Sequence, residues 1–230
     1  MTTILSIQSS VAYGHVGNSA ATFPLMRSGI EVWPVLTVHF SNHTGYGEWR
    51  GPLLAASEVA EVIRGIDERD VLGRVDAVLS GYQGAEEVGA VVLDAVELVK
   101  QRSPKAIYCC DPVMGDVGRG FFVRPGIPEF MRDRVVPKAD IVTPNHFETL
   151  SLSGMDAIES VEDLTEAAKR IHDSSGAAVL AKGGVRLAGA EAVDVFYDGS
   201  TLEVLTEPKV GEGVSYGFVY RVPKQNIQIA

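Results

Sequence analysis

The sequence predicts an α/β fold with a mostly parallel central sheet and helices on both faces. Three observations carry that expectation. Short apolar runs alternate with amphipathic helical patterns along the chain, the arrangement that gives parallel strands joined by helical crossovers. Nearly every apolar run ends in a polar or acidic cluster, and the crevice outside the strand C-termini is where ligands sit in open α/β sheets. The 230 residues, 46% hydrophobic and 22% charged, suit one domain over 1–230. A chain of that length buries roughly 70% of its unfolded surface without a disulfide or metal staple.

The strands follow in order. Ile4–Ile7 is an apolar run ending in Gln8-Ser9-Ser10, and Glu31–Phe40 is β-branched and aromatic. Ala77–Leu79 ends in Ser80-Gly81-Tyr82, Ala106–Cys110 in Asp111-Pro112, Asp140–Thr143 in Pro144-Asn145, and Ala177–Ala181 in Lys182-Gly183-Gly184. Each is a short strand bounded by turn residues. Val88, Val91, Val92, Ala95, Val96 and Val99 share one face of a helix over 85–101. Ser160 with Asp163 forms a capping box ahead of Val161, Leu164, Ala168 and Ile171. Val193–Tyr197 and Leu202–Leu205, split by Asp198-Gly199-Ser200, read as a hairpin.

Composition excludes several classes. The formal net charge of −10 opposes a nucleic-acid binder, which needs a basic stripe. It leaves room for a small anionic ligand held by backbone amides. Cys109 and Cys110 are adjacent, too few for a disulfide framework, and sit in an apolar strand as small buried hydrophobes. The N-terminus lacks a basic region before its short apolar run, so no secretory signal is expected. There is no run of 18 apolar residues, so no membrane partner is expected. The reducing cytoplasm is the expected compartment.

Four segments carry candidate chemistry. Tyr13–Ala21 spaces Gly14 and Gly17 as G-x-x-G, with Asn18 or Ser19 as a helix cap. It matches neither the dinucleotide-binding fingerprint nor a P-loop, and an ordinary strand-to-helix loop reads equally well. Asp111 and Asp116 place two carboxylates after a strand, suited to Mg²⁺ and its waters or to a plain Asp-Pro turn. Asn145-x-x-Glu148 offers two oxygen donors at a helix start, and also the pattern of a capping box. Ser41–Gly47 holds His43, Thr44 and Tyr46, either a cover for a flat aromatic ligand or a polar turn.

Taken together, these residues resemble the pyridoxal kinases of the ribokinase-like superfamily. The resemblance rests on Ser6–Ser9, Gly14–Ala21, Ser41–Tyr46, Leu79–Tyr82, Asp111–Asp116 and Ala139–Asn145 with Glu148, in order over about residues 3–185. It implies a ribokinase-like fold and ATP-dependent phosphorylation of the 5′-hydroxymethyl group of pyridoxal and related B6 vitamers. It implies that Ser9, His43, Thr44, Tyr46 and Tyr82 line the vitamer pocket. Asp111, Thr143, Asn145 and Lys182 would lie along ATP, with Asp116 and Glu148 at Mg²⁺. It further implies a homodimer, and a monovalent cation is compatible with it. Hydroxymethylpyrimidine kinases share the fold and form the alternative within enzymes.

The sequence departs from the family late. Family members carry V-G-x-G-D, whose glycine amides form an anion hole and whose Asp is the general base. Here the nearest run is Val210-Gly211-Glu212-Gly213-Val214, with no long helix pattern before Ala230. Gly211 and Gly213 stand where the anion hole would be, and Glu212, on the far side of Gly213, is the alternative base. A general base is typically worth ~10²–10⁴-fold. The expectation is a chain that binds both ligands and turns over slowly. The non-enzyme alternative is an inactive vitamer- or nucleotide-binding relative.

Overall fold

A computed structural model describes residues 1–184, 187 and 191–208. Its main sheet has eight strands, numbered along the chain: β1 Thr3–Tyr13, β2 Glu31–Asn42, β3 Ala77–Ser80, β4 Ile107–Cys110, β7 Ile141–Val142, β8 Ala178–Gly184, β9 Glu191–Tyr197 and β10 Leu202–Pro208. A separate two-stranded arm pairs β5 Gly115–Asp116 with β6 Gly120–Phe121. The order across the main sheet is β10-β9-β8-β7-β4-β3-β1-β2. The six strands from β8 to β2 are parallel to their neighbours, and β9 and β10 close one edge as the expected antiparallel hairpin. All six parallel C-termini therefore open onto one rim.

Parallel strands joined by crossover helices are covered on both faces. In β1, Leu5 through Ser9 are buried without interruption, and successive side chains point to opposite faces. The core continues through Val35, Val78, Tyr108, Val142, Leu164 and Val179. The helices are α1 Asn18–Arg27, α2 Ala56–Asp67, α3 Glu86–Arg102, α4 Ile127–Phe130, α5 His146–Ser153 and α6 Val161–Ser175. Both capping boxes form. Asn145 caps α5 with Glu148, and Ser160 caps α6 with Asp163. Cys109 and Cys110 are free thiols, and burial pushes the Cys110 thiol up to about 12, so it stays neutral. No described helix is long and apolar enough to cross a membrane.

Two strand boundaries differ from expectation. Gln8-Ser9-Ser10 does not end β1, which runs to Tyr13, and Lys182-Gly183-Gly184 belongs to β8. Polar residues stay inside β1 because tertiary partners satisfy them. Asn18 is the centre of this network and not a helix cap; Gly17 holds the N-cap position. The Asn18 Oδ1 accepts from Ser6 Oγ at 2.7 Å, and its Nδ2 lies 3.1–3.3 Å from the carbonyls of Ser6, Gln8 and Val35. Ser19 Oγ accepts from the Val11 amide at 2.9 Å and donates to its carbonyl at 2.8 Å. Losing the Asn18 amide strands several buried groups at once. Asn18→Ala is expected to cost about 2–4 kcal/mol, read as a lower urea midpoint.

The β1–β2 ladder breaks its register between Gln8 and Ser10. Thr37 and Val38 of β2 oppose Ser9 alone. Bulges of this kind re-aim side chains beside functional sites. The Thr37 hydroxyl donates to the Tyr82 carbonyl at 2.6 Å, tying the bulge to the loop after β3. Gly17 completes the turn with φ +52°, and a Cβ there would sit 2.4 Å from both Ser9 oxygens. Only glycine admits that approach.

Candidate active site

The β4–β7–β8 side of the rim holds a buried charge cluster. Asp111, at the end of β4, is 7% exposed. Its Oδ1 accepts from Lys182 Nζ at 3.0 Å and from Thr143 Oγ1 at 3.2 Å. Lys182 pairs with Asp194 just before a register break between β8 and β9, and its amide donates to Pro144 O at 2.9 Å. Glu148 is 1% exposed. Its two oxygens accept from the Met114 amide at 3.0 Å and the Asn145 amide at 2.8 Å. Asn145 returns the cap through Oδ1 to the Glu148 amide, and its Nδ2 donates to Gly115 O at 2.8 Å. Asp116 begins the β5–β6 arm, where its Oδ1 accepts from the Val117 amide.

Burial pushes the Glu148 carboxyl up to about 8, and the Asp111 charge pushes the same way against Lys182 and the two amides. Two buried acids facing one lysine form a donor set that a further cation would stabilise. Among the described residues no three acidic, His or Cys side chains make a self-sufficient metal cage. The shift also sets a pH dependence. Between the ordinary value of 4.5 and about 8, the folded state holds a proton that the unfolded chain has released. Stability from this group is full below 4.5 and lost as pH rises through about 8. Urea unfolding from pH 5 to 8 is expected to show the decline, and Glu148→Gln is expected to flatten it.

The β3–β1–β2 side is aromatic and hydroxyl-rich. Ser9 is 6% exposed and Tyr82 is half-buried, its phenol raised by desolvation. The segment after β2 turns back on β1, with the His43 amide donating to Tyr13 O at 3.0 Å. Thr44–Tyr46 is a single 3₁₀ turn. The Tyr46 ring lies 5.5 Å from Tyr13 and 5.3 Å from His43. Desolvation and the nearby Arg119 guanidinium both hold the His43 imidazole below its usual value. The structure thus groups Asp111, Thr143, Asn145, Glu148 and Lys182 on one side of the rim, and Ser9, His43, Thr44, Tyr46 and Tyr82 on the other. Gly211 and Gly213 lie outside the described residues.

The phosphomethylpyrimidine kinase family model matches residues 58–217. A pyridoxal kinase structure from Leishmania donovani, with ADP and pyridoxine, superposes with a TM-score of 0.82 at 30% identity, over 90% of this chain and 72% of that one. The chain belongs to the pyridoxal kinase family. Within this family it is 71% identical to pyridoxal kinase PdxY of Rubrobacter xylanophilus over 153 residues, covering 66% of this chain and 53% of that protein. Identity to the Leifsonia xyli pyridoxal kinase PdxY is 62%, over 75% of this chain and 62% of that protein. The chain thus spans 53% and 62% of the lengths of these two curated relatives.

Family resemblance singles out the acidic and hydroxyl residues that the structure groups along the rim. It does not find Arg119 and Arg124, which reach the aromatic side only through the path of the β5–β6 arm. Asn18 also goes unrecognised as a structural hub, because G-x-x-G followed by Asn reads locally as a cap.

Proposed function

We propose that the chain binds Mg-ATP and a B6 vitamer on this rim and transfers the γ-phosphoryl group to the vitamer's 5′-hydroxymethyl oxygen. The observation that carries this reading is the buried Asp111–Lys182–Thr143–Glu148 cluster on the same rim as Ser9, Thr44 and Tyr82. Phosphoryl transfer depends on positioning and charge neutralisation more than on covalent help. Lys182 and Thr143 would meet the phosphates, with Asp111 and Asn145 orienting them. Glu148 and Asp116 would hold Mg²⁺ directly or through water, and the ion would offset phosphate charge. Ser9 would hydrogen-bond the vitamer ring between Tyr82 and the His43–Tyr46 turn.

A pyrimidine carrying a hydroxymethyl group is the second reading, supported by the description of the matching family model. The Ser41–Tyr46 segment supports the vitamer. Assembly as a cytoplasmic homodimer goes with the family. Helix α1 supports a covered face, because Asn18–Met26 carries no charge while Phe23 and Met26 are 74% and 58% exposed.

Calorimetric titration tests the binding reading. ATP is expected to bind tightly only with Mg²⁺, and pyridoxal better than hydroxymethylpyrimidine. Ser9→Ala is expected to cost pyridoxal about 1–3 kcal/mol by leaving a buried ring heteroatom unpaired. Equal ATP affinity with and without Mg²⁺, or pyridoxal affinity indifferent to Ser9, would overturn the assignment.

A further inference from the structure

The arm that follows β4 starts at the acidic cluster and returns toward the opposite side of the rim. Its base is fixed by the Asn145 Nδ2 bond to Gly115 O and by the edge-to-face contact of Phe121 on Phe147 at 4.9 Å. Its turn places Arg119 with the guanidinium 4.9 Å from the Phe122 ring centroid. The same guanidinium faces the His43 turn: a Cβ on Gly45 would lie 3.4 Å from Arg119 Nη1 and 2.8 Å from the His43 ring. Further along the arm, Arg124 is near enough to Tyr82 for its charge to favour the phenolate. Arg119 thus reaches the His43 turn, and Arg124 lies on the same short segment on the Tyr82 side. Among the described residues neither guanidinium takes part in a salt bridge, although the chain carries ten more acidic than basic residues.

We propose that Arg119 and Arg124 form a cationic rim that recognises a negatively charged oxygen on the aromatic ring of the substrate, and so sets which vitamers bind. This rests on the vitamer reading given above. The supporting surroundings are consistent with an anionic aromatic guest. His43 is held toward its neutral form, Tyr13 and Tyr46 add ring faces, and the carboxylates Asp111 and Glu148 belong to the cluster on the opposite side of the rim, where Asp111 is paired with Lys182. A hydroxyl directly on a pyridine ring ionises far more readily than a hydroxymethyl group. The ring oxygen of a B6 vitamer therefore supplies the charge. Guanidinium to oxyanion is a charge-assisted contact, roughly twice as strong as a neutral hydrogen bond. Phe122 holds the Arg119 plane in place before the ligand arrives.

The test compares pyridoxine with its 3-O-methyl ether, which cannot ionise at that oxygen, by calorimetry on the full chain. The natural protein is expected to prefer pyridoxine by about tenfold or more, the size of one charged hydrogen bond. In the Arg119→Ala/Arg124→Ala variant the preference is expected to fall to about twofold, the remainder being the bulk of the methyl group. Arg119→Lys with Arg124 intact is expected to keep most of it, since a cation remains. Mg-ATP affinity and the urea midpoint are expected to stay within about twofold and within error, because both arginines are exposed. An undiminished preference in the double alanine variant would overturn the proposal. So would a loss confined to Mg-ATP, which would assign the arginines to the nucleotide. Failure of the natural protein to bind any vitamer would instead overturn the functional reading beneath it.

Discussion

Replacing Lys182 by methionine is expected to cost about 3–5 kcal/mol of folding stability and at least ~10²-fold in Mg-ATP affinity. The lysine and Asp111 are 12% and 10% exposed at the side chain, and Glu148 is buried beside them. Removing the cation leaves two acids facing each other away from water, which is far costlier than losing an exposed pair. The stability loss is expected to shrink at low pH, where the acids take up protons. A second change separates the two effects. Asp111→Asn in the Lys182→Met background removes the stranded charge and is expected to recover most of the stability. It is not expected to recover nucleotide binding. Urea unfolding and calorimetry on the three variants read both quantities. If the single variant kept natural stability, the pair would not be the buried anchor described above.

The second large effect concerns turnover. By the resemblance, the family's general-base Asp would fall at Val214, in Val210-Gly211-Glu212-Gly213-Val214. In the proposed reading, binding rests on residues earlier in the chain, whereas the Asp of the family segment would take the proton that leaves the hydroxyl during transfer. Interactions made only in the transition state change rate and not ground-state affinity. A variant carrying the family's V-G-x-G-D segment and the helix that follows it is expected to phosphorylate pyridoxal at least ~10²-fold faster than this chain. Pyridoxal and Mg-ATP affinities are expected to change little. Coupled ADP release measures the rates. Comparable rates would mean that another group takes the proton.

Much of the fold is legible in local pattern. The apolar runs at β3, β4 and β7 leave little choice but buried strands, and Asp198-Gly199-Ser200 marks the turn between β9 and β10. The pairs Asn145/Glu148 and Ser160/Asp163 announce helix starts that form as capping boxes. The failures share one cause. Gln8, Ser10 and Lys182 are polar, so their strands seem to stop before them, yet partners outside the strand let the strands continue. Local patterning cannot see Asn18 bonding to two strands, nor Ser9 landing in a register break.

The site divides in the same way. Asp111, Thr143, Asn145, Lys182 and Glu148 are recognisable as a set only through family resemblance, since each alone reads as a turn, a cap or a strand end. The structure adds that Glu148 serves as helix cap and as buried acid at once, because its two oxygens accept two different amides. Arg119 and Arg124 carry no motif. Their place beside His43 and Tyr82 depends on where a short arm crosses the rim.

The most direct measurement of the central claim is mass-spectrometric detection of a phosphorylated vitamer after prolonged incubation of the protein with pyridoxal and Mg-ATP. Slow formation of pyridoxal 5′-phosphate is expected, requiring Mg²⁺ and lost in Lys182→Met. Product formed at an undiminished rate by Lys182→Met, or transfer to hydroxymethylpyrimidine in preference to pyridoxal, would contradict it.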